Sequence, residues 1–184
     1  MNQQIVAGLI HRSKGNDLEA FRALVEGHQS FVFSVAFRLL CDEDIAKDVA
    51  QETFIRVWKH INRFREEMRF KTWLYTIATN LCYDHIKSDK RRNKHEISFL
   101  ENSVLLNLAS DENIETSLIN SELAKTIRFL TNQLTPRQKL VFTLKELEGL
   151  EVEEINEITG LSPEKIKSNL YCARQSIRSK LEKM

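Results

Sequence analysis

Proline and glycine, the residues that punctuate short strands and tight turns, are scarce: two and five in 184 residues. Strand-like β-branched alternation is also rare, while apolar spacings of three and four recur. That argues against sandwiches and barrels and for an all-α chain. Cysteine is scarce too. Cys41, Cys82 and Cys172 lie far apart with no Cys-x-x-Cys pair. A disulfide framework or zinc knuckle is not expected, and a reducing cytoplasm fits. Cys82 and His85 stand three apart but lack two further ligands for a metal. No apolar run approaches about 18 residues, and no basic-then-apolar leader opens the chain, so neither a membrane span nor export is expected. A catalytic triad order, a glycine-rich phosphate loop and a metal-ligand set are all missing. No enzyme, catalytic residue, metal or cofactor is therefore expected.

An overall charge of one sign is lacking as well, the net being +1. The distribution is more telling. Residues 85–95 hold five lysines and arginines against one aspartate. From His95 to Ala124 there are six acids and no lysine or arginine. Residues 163–184 hold six basic side chains against two acids. Two basic zones thus flank an acidic connector, and a polyanion would meet the former.

What is present begins with Leu150 to Leu181. Two amphipathic helices are separated by Thr159-Gly160-Leu161, the spacing of a helix-turn-helix. Gly160 suits the left-handed end of the first helix. Ser162 is a cap for the second, and Pro163 takes its first position. Ile166, Leu170, Ala173, Ile177 and Leu181 share one side. Lys167, Ser168, Tyr171, Arg174 and Arg178 lie off that stripe, where cations and hydroxyls reach phosphates and base edges in a major groove.

Upstream, residues 2–40 read as two bundle helices, the first ending near Lys14-Gly15-Asn16 and the second capped by Asp17, with a break at Gly27. Asp42-Glu43-Asp44 opens the next helix with acids at its positive end. Ile45, Val49, Thr53 and Val57, beside Ala46, Ala50, Phe54 and Trp58, form its core face. Asp48, Gln51, Glu52 and Ile55 line the opposite side, either a docking stripe for a basic partner or a solvated acidic face. A loop from Phe64 to Phe70 leads into a helix over 71–87. There Leu74, Ile77, Ala78 and Leu81 face inward. Lys71, Thr72, Tyr75, Thr76, Thr79, Asn80, Tyr83 and Lys87 fall on the other side. Rings that stack on bases, amides that read their edges and lysines that meet phosphates suit unpaired nucleic acid. Trp73 reads as core or half-buried. The run Lys90-Arg91-Arg92-Asn93-Lys94 reads as a basic helix end. Residues 95–117 have little periodicity and read as a linker, with a transient helix at Val104 to Leu108. Beyond it, a helix over Ile119 to Asn132 turns Leu123, Ile127 and Leu130 inward. Thr135 and Pro136 start the next, which Gly149 stops.

In order, the chain reads Asp48-Val49-Ala50-Gln51-Glu52-Thr53-Phe54 through Trp58, Phe64-Arg65, and Phe70-Lys71-Thr72-Trp73-Leu74-Tyr75-Thr76-Ile77-Ala78-Thr79-Asn80. After the linker come Leu134-Thr135-Pro136-Arg137-Gln138, Glu148-Gly149-Leu150, Glu153-Glu154-Ile155 and Ile166-Lys167-Ser168-Asn169-Leu170-Tyr171-Cys172-Ala173-Arg174. This resembles bacterial RNA polymerase sigma factors of the sigma-70 family, and among them the small extracytoplasmic-function group, which keeps only regions two and four. The resemblance runs from Asp17 to Glu182. It implies two small helical domains, a region-two bundle over 1–94 and a region-four helix-turn-helix over 118–184, joined by a flexible linker over 95–117.

The resemblance also implies roles. Asp48, Gln51, Glu52 and Ile55 would dock on the β′ clamp of core RNA polymerase. Phe64, Phe70, Lys71, Trp73, Tyr75, Thr76, Thr79, Asn80, Tyr83 and Lys87 would capture unpaired bases of the promoter minus-ten element, with Trp73 as support. Ser162, Lys165, Lys167, Ser168, Asn169, Tyr171 and Arg174 would read the minus-thirty-five element as duplex. An anti-sigma factor is an implied regulatory partner. Two departures bear on the groove: Asn169 stands where many relatives carry arginine, and Cys172 where a basic or polar residue is frequent. Both lower the charge there. A stand-alone helix-turn-helix regulator is the alternative, but it accounts for residues 150–181 alone. A decoy that binds polymerase without initiating is a further one.

Overall fold

The structure, a computed structural model, describes residues 2–65, 67–131 without 97–124, and 133–182; for 91–96 it describes the backbone alone. Every regular element among them is helical. In order these are α1 (Gln3–Lys14), α2 (Leu18–Leu40), α3 (Glu43–His60), a 3₁₀ turn (Ile61–Arg63) and α4 (Phe70–Glu96). Then come α5, of which residues 125–131 are described, α6 (Pro136–Phe142), a π-helical turn (Thr143–Leu147), α7 (Val152–Thr159) and α8 (Pro163–Leu181).

The starts are set by caps. Asp17 accepts from the Ala20 N–H, Asp42 from that of Ile45 and Ser162 from that of Lys165. Each satisfies one of the amides that a first turn leaves without a partner. Thr135 and Gln138 form a reciprocal capping box ahead of α6. Gly160 ends α7 at φ +67°, a conformation glycine adopts without the Cβ penalty.

Three expectations are corrected. α2 runs unbroken through Gly27, because Leu24 and Val32 are both fully buried and hold either side of it in the core. A mid-helix glycine costs only about 1 kcal/mol against alanine, less than two such side chains contribute. α4 extends to Glu96, past the expected helix end in the basic run and past the start of the expected linker. The side chains of Arg91 to Lys94, and the expected helix at Val104 to Leu108, lie outside the described residues. Leu181 is 54% exposed. As the last residue of α8 it projects past the elements that bury Ile166, Leu170, Ala173 and Ile177.

One core lies within the N-terminal half, where α1, α2, α3 and α4 enclose Leu24, Val32, Val57 and Leu74. A smaller one joins Leu134, Ala173 and Ile177 in the C-terminal half. A further cluster spans both halves: Leu39, Val49 and Ile86 share it with Leu144, Ile155 and Ile166. The two units are therefore in apolar contact, chiefly α4 against α6 and α7.

Candidate nucleic-acid and polymerase interfaces

On α3 the spacing that buries Val49, Thr53 and Val57 leaves Asp48 and Gln51 exposed on the far side. Ile55 is 40% exposed among them. Glu52 receives the Arg56 Nε–H at 2.8 Å along the same helix. Gln51 and Ile55 also rim an apolar groove of about 1050 Å³ between α2 and α3, floored by Phe21, Phe54 and Trp58. Two members of the stripe, Gln51 and Ile55, thus edge an open apolar trough, a shape that suits an amphipathic helix.

The loop aromatics are placed otherwise than expected. Phe64 and Phe70 are buried. They meet edge to face at 5.8 Å, and Trp73 lies 5.1 Å from Phe64 and 6.1 Å from Phe70. Lys14 donates to the Phe64 carbonyl at 3.2 Å and ties the loop to α1. These rings are core, because a loop between two packed helices has no other way to cover their ends. They support the surface rather than form it. Among the described residues of the loop, Arg65, Glu67, Met68 and Arg69 are exposed.

α4 likewise divides differently. Lys71, Asn80 and Lys87 are exposed, and Thr76 and Tyr83 half-buried. Tyr75 and Thr79, expected on the open face, are 5% and 1% exposed. Helical spacing cannot separate one covered face from two, and here α4 is covered on one side by α2 and α3 and on another by α6 and α7. Thr79 Oγ1 donates to the Tyr75 carbonyl at 2.7 Å. The Tyr75 hydroxyl donates to Glu148 Oε2 at 2.9 Å. Burial, reinforced by that carboxylate, pushes the Tyr75 pKa well up.

Asn80 opens instead onto a cleft of about 330 Å³ with Trp73, Ile77, Arg56, His60 and Arg63. An amide, an indole and an isoleucine beside two guanidinium groups offer edge recognition, an apolar wall and phosphate contacts. The spacing did not single out the last three, yet 56, 60 and 63 are i, i+4 and i+7, a basic stripe that was legible.

On α8, Lys165, Lys167, Ser168, Tyr171 and Arg174 are exposed on one side of the buried stripe. Ser162 is engaged as the cap. Asn169 Nδ2 donates to the Lys165 carbonyl at 2.7 Å, so its amide is turned along its own helix. Arg174 contacts Glu146 Oε1 through Nε at 3.0 Å and Nη2 at 2.6 Å. Among the described residues no three His, Cys, Asp or Glu side chains are grouped to hold a metal, and no helix is long and apolar enough to cross a membrane.

Comparison with known proteins resolves what this arrangement belongs to. Residues 24–92 match the family model Sigma-70 region 2, and residues 125–177 match Sigma-70, region 4. The chain is 33% identical over 178 residues to the ECF RNA polymerase sigma-E factor of Haemophilus influenzae, covering 95% of this chain and 94% of that one. It is 28% identical over 183 residues to the ECF RNA polymerase sigma factor SigW of Bacillus subtilis, covering 97% and 98%. In fold it is similar to CnrH, solved with the cytosolic domain of CnrY, at TM-score 0.64, 20% identity and 95% coverage of each chain. It is similar also to the sigma factor RpoE of Bartonella quintana, solved with the anti-sigma factor NepR, at TM-score 0.62 and 22% identity over 88% of this chain and 96% of that one. With region two and region four in that order along nearly its whole length, the chain belongs to the extracytoplasmic-function group of sigma-70-family RNA polymerase sigma factors.

Proposed function

We propose that the chain binds core RNA polymerase through Asp48, Gln51, Glu52 and Ile55 on the β′ clamp, and directs initiation by holding two parts of a promoter in different states. The C-terminal unit reads the minus-thirty-five element as duplex. Lys165, Lys167 and Arg174 meet phosphates, while Ser168, Asn169 and Tyr171 meet base edges. The α4 surface holds the minus-ten element unpaired. The observation that carries this reading is the cleft of Asn80, Trp73 and Ile77 walled by Arg56, His60 and Arg63. A flipped base placed there exchanges its lost stack for an indole and its lost pairing for an amide. Lys71 and Lys87 supply backbone contacts, and Thr76 and Tyr83 flank them. No covalent bond changes: binding energy for the unpaired strand offsets unstacking. The work takes place in the cytoplasm.

An anti-sigma factor completes the proposal, its natural seat being the same apolar trough on α2 and α3 that polymerase would use. The stand-alone regulator reading accounts for α7 and α8 but leaves the α3 stripe and the α4 cleft without purpose.

Transcription in vitro with core polymerase on a randomised promoter library tests the assignment. Defined starts are expected with the wild-type chain. Asn80→Ala is expected to relax preference at one minus-ten position while leaving the minus-thirty-five preference unchanged. Charge reversal at Asp48 and Glu52 is expected to weaken polymerase binding with helicity intact. Transcripts that start at no defined site would remove the proposal.

A further inference from the structure

Arg174 stands on the exposed side of α8, yet its guanidinium is already engaged. Nε at 3.0 Å and Nη2 at 2.6 Å both donate to one oxygen, Oε1 of Glu146. Glu146 belongs to the π turn Thr143–Leu147. That turn is anchored against α8, because Leu144 is fully buried in the cluster that also holds Ile166 and Leu170. The neighbouring cation on the turn, Lys145, is tied to Glu151 at 2.8 Å and so is turned to a different carboxylate. Arg178, one turn further along α8, pairs with Glu182 at 3.0 Å, just past the end of its own helix. Its direction is set by α8 alone, whereas that of Arg174 is fixed against a second element.

What such a pair does follows from its exposure. The Arg174 and Glu146 side chains are 57% and 34% exposed. A pair so open to solvent contributes little to folding. It does limit where the guanidinium points. An arginine carries its N–H donors in a rigid planar fork. With Nε and one Nη2 hydrogen given to Glu146, the end edge formed by Nη1 and Nη2 is left over, directed away from the carboxylate. Such an edge grips a phosphate, or O6 and N7 of guanine, with two bonds. Ordering a long side chain ahead of binding removes part of the cost of ordering it at the interface.

We propose that Glu146 is a positioning residue of the duplex-reading surface: it aims the free edge of Arg174 and makes no contact with DNA itself. This role rests on the reading of α8 as the minus-thirty-five surface. It also fixes a sign. A carboxylate near phosphates repels them, so removing its charge alone raises affinity for any duplex. Removing the oxygen that holds Arg174 lowers affinity for the sequence that Arg174 reads. Two uncharged substitutions separate these effects. Glu146→Gln keeps an oxygen able to accept both bonds, and Glu146→Met keeps the length and offers none.

The test uses the full chain assembled with core polymerase and two fluorescent duplexes: the minus-thirty-five sequence that this holoenzyme selects from the randomised library, and a shuffled one. Anisotropy reports affinity, and circular dichroism of the chain reports helicity and thermal midpoint. Glu146→Met is expected to bind the selected duplex about fivefold more weakly than Glu146→Gln, the scale on which ordering one long side chain acts. The two are expected to bind the shuffled duplex alike and to share one thermal midpoint, since so exposed a pair adds little to folding. With Arg174→Ala added to each, the difference on the selected duplex is expected to vanish. Glu146→Ala takes the place of Glu146→Met if methionine disturbs helicity. Equal binding by the two variants, with Arg174→Ala weaker than wild type, overturns the positioning role and leaves the duplex reading in place. A difference that survives Arg174→Ala also overturns it, because Glu146 then acts by another route. A library that selects no minus-thirty-five sequence, or Arg174→Ala binding as wild type does, removes the duplex reading of Arg174 and the positioning role with it.

Discussion

Thr143 begins the π turn with its hydroxyl fully enclosed, and among the described residues Oγ1 has no hydrogen-bond partner. An unsatisfied buried hydroxyl costs about 1–3 kcal/mol. Thr143→Val keeps the shape and removes the group, so chemical denaturation should show stability higher by about 1 kcal/mol. His28 is half-buried and, unlike Thr143, partnered. Its Nδ1 lies 2.9 Å from the Leu24 carbonyl, and its ring sits edge-on to Phe70 at 5.2 Å. Burial, aided by the nearby Lys71 cation, lowers its pKa below the ordinary 6.5. The neutral ring therefore favours folding fully above 6.5. As pH falls below that value the unfolded chain takes the proton first, and this stability is lost through the lower folded pKa. Urea midpoints measured between about pH 7.5 and about pH 5 should fall more steeply for wild type than for His28→Gln. Neither residue was legible as special in the sequence. Thr143 looks like any helical threonine, and His28 like an ordinary position on a helix, until their neighbours are known.

At the scale of elements the sequence was most informative where local chemistry decides. Asp17, Asp42, Thr135 and Ser162 each cap the helix they precede, because a cap needs only the next three residues. Gly160 takes the left-handed angle the turn requires, and a Cβ there meets open space. Gly160→Ala should therefore cost about 1–2 kcal/mol through backbone strain alone, seen as a lowered thermal midpoint. The exposed side of α8 was legible from its apolar stripe, but its pairing was not. Arg174 is held by Glu146, twenty-eight positions upstream. Lys167→Ala and Arg174→Ala should each reduce the salt slope of duplex binding by roughly 0.9, read from affinities over a salt series. The loop before α4 is less legible. Its aromatic residues signalled importance, yet Phe64 and Phe70 went into the core, and the exposed chemistry passed to Arg56, His60 and Arg63.

For the whole molecule, the contact between the two units, α4 against α6 and α7, is what matters. Lys139 gives up hydration there, and burial lowers its pKa, with Arg128 and Lys90 acting in the same direction. Replacing a desolvated cation by an apolar side chain of similar length often stabilises a protein. Lys139→Met should raise the melting temperature of the free chain by about 2–4 °C, the shift that about 1 kcal/mol gives in a chain of this size. A lower melting temperature would mean that the cation is used where it stands.

Helices, caps, the helix-turn-helix and the order of the two units were determined by the sequence alone, since each depends on spacing and on neighbours a few positions away. The tertiary structure alone decided which of the two exposed-looking sides of α4 stays open. Tyr75 and Thr79 were covered and Asn80 was left facing a cleft, because α7 and the π turn arrive from far along the chain. Periodicity records that a face is polar, and only packing determines whether water, nucleic acid or another part of the same chain meets it.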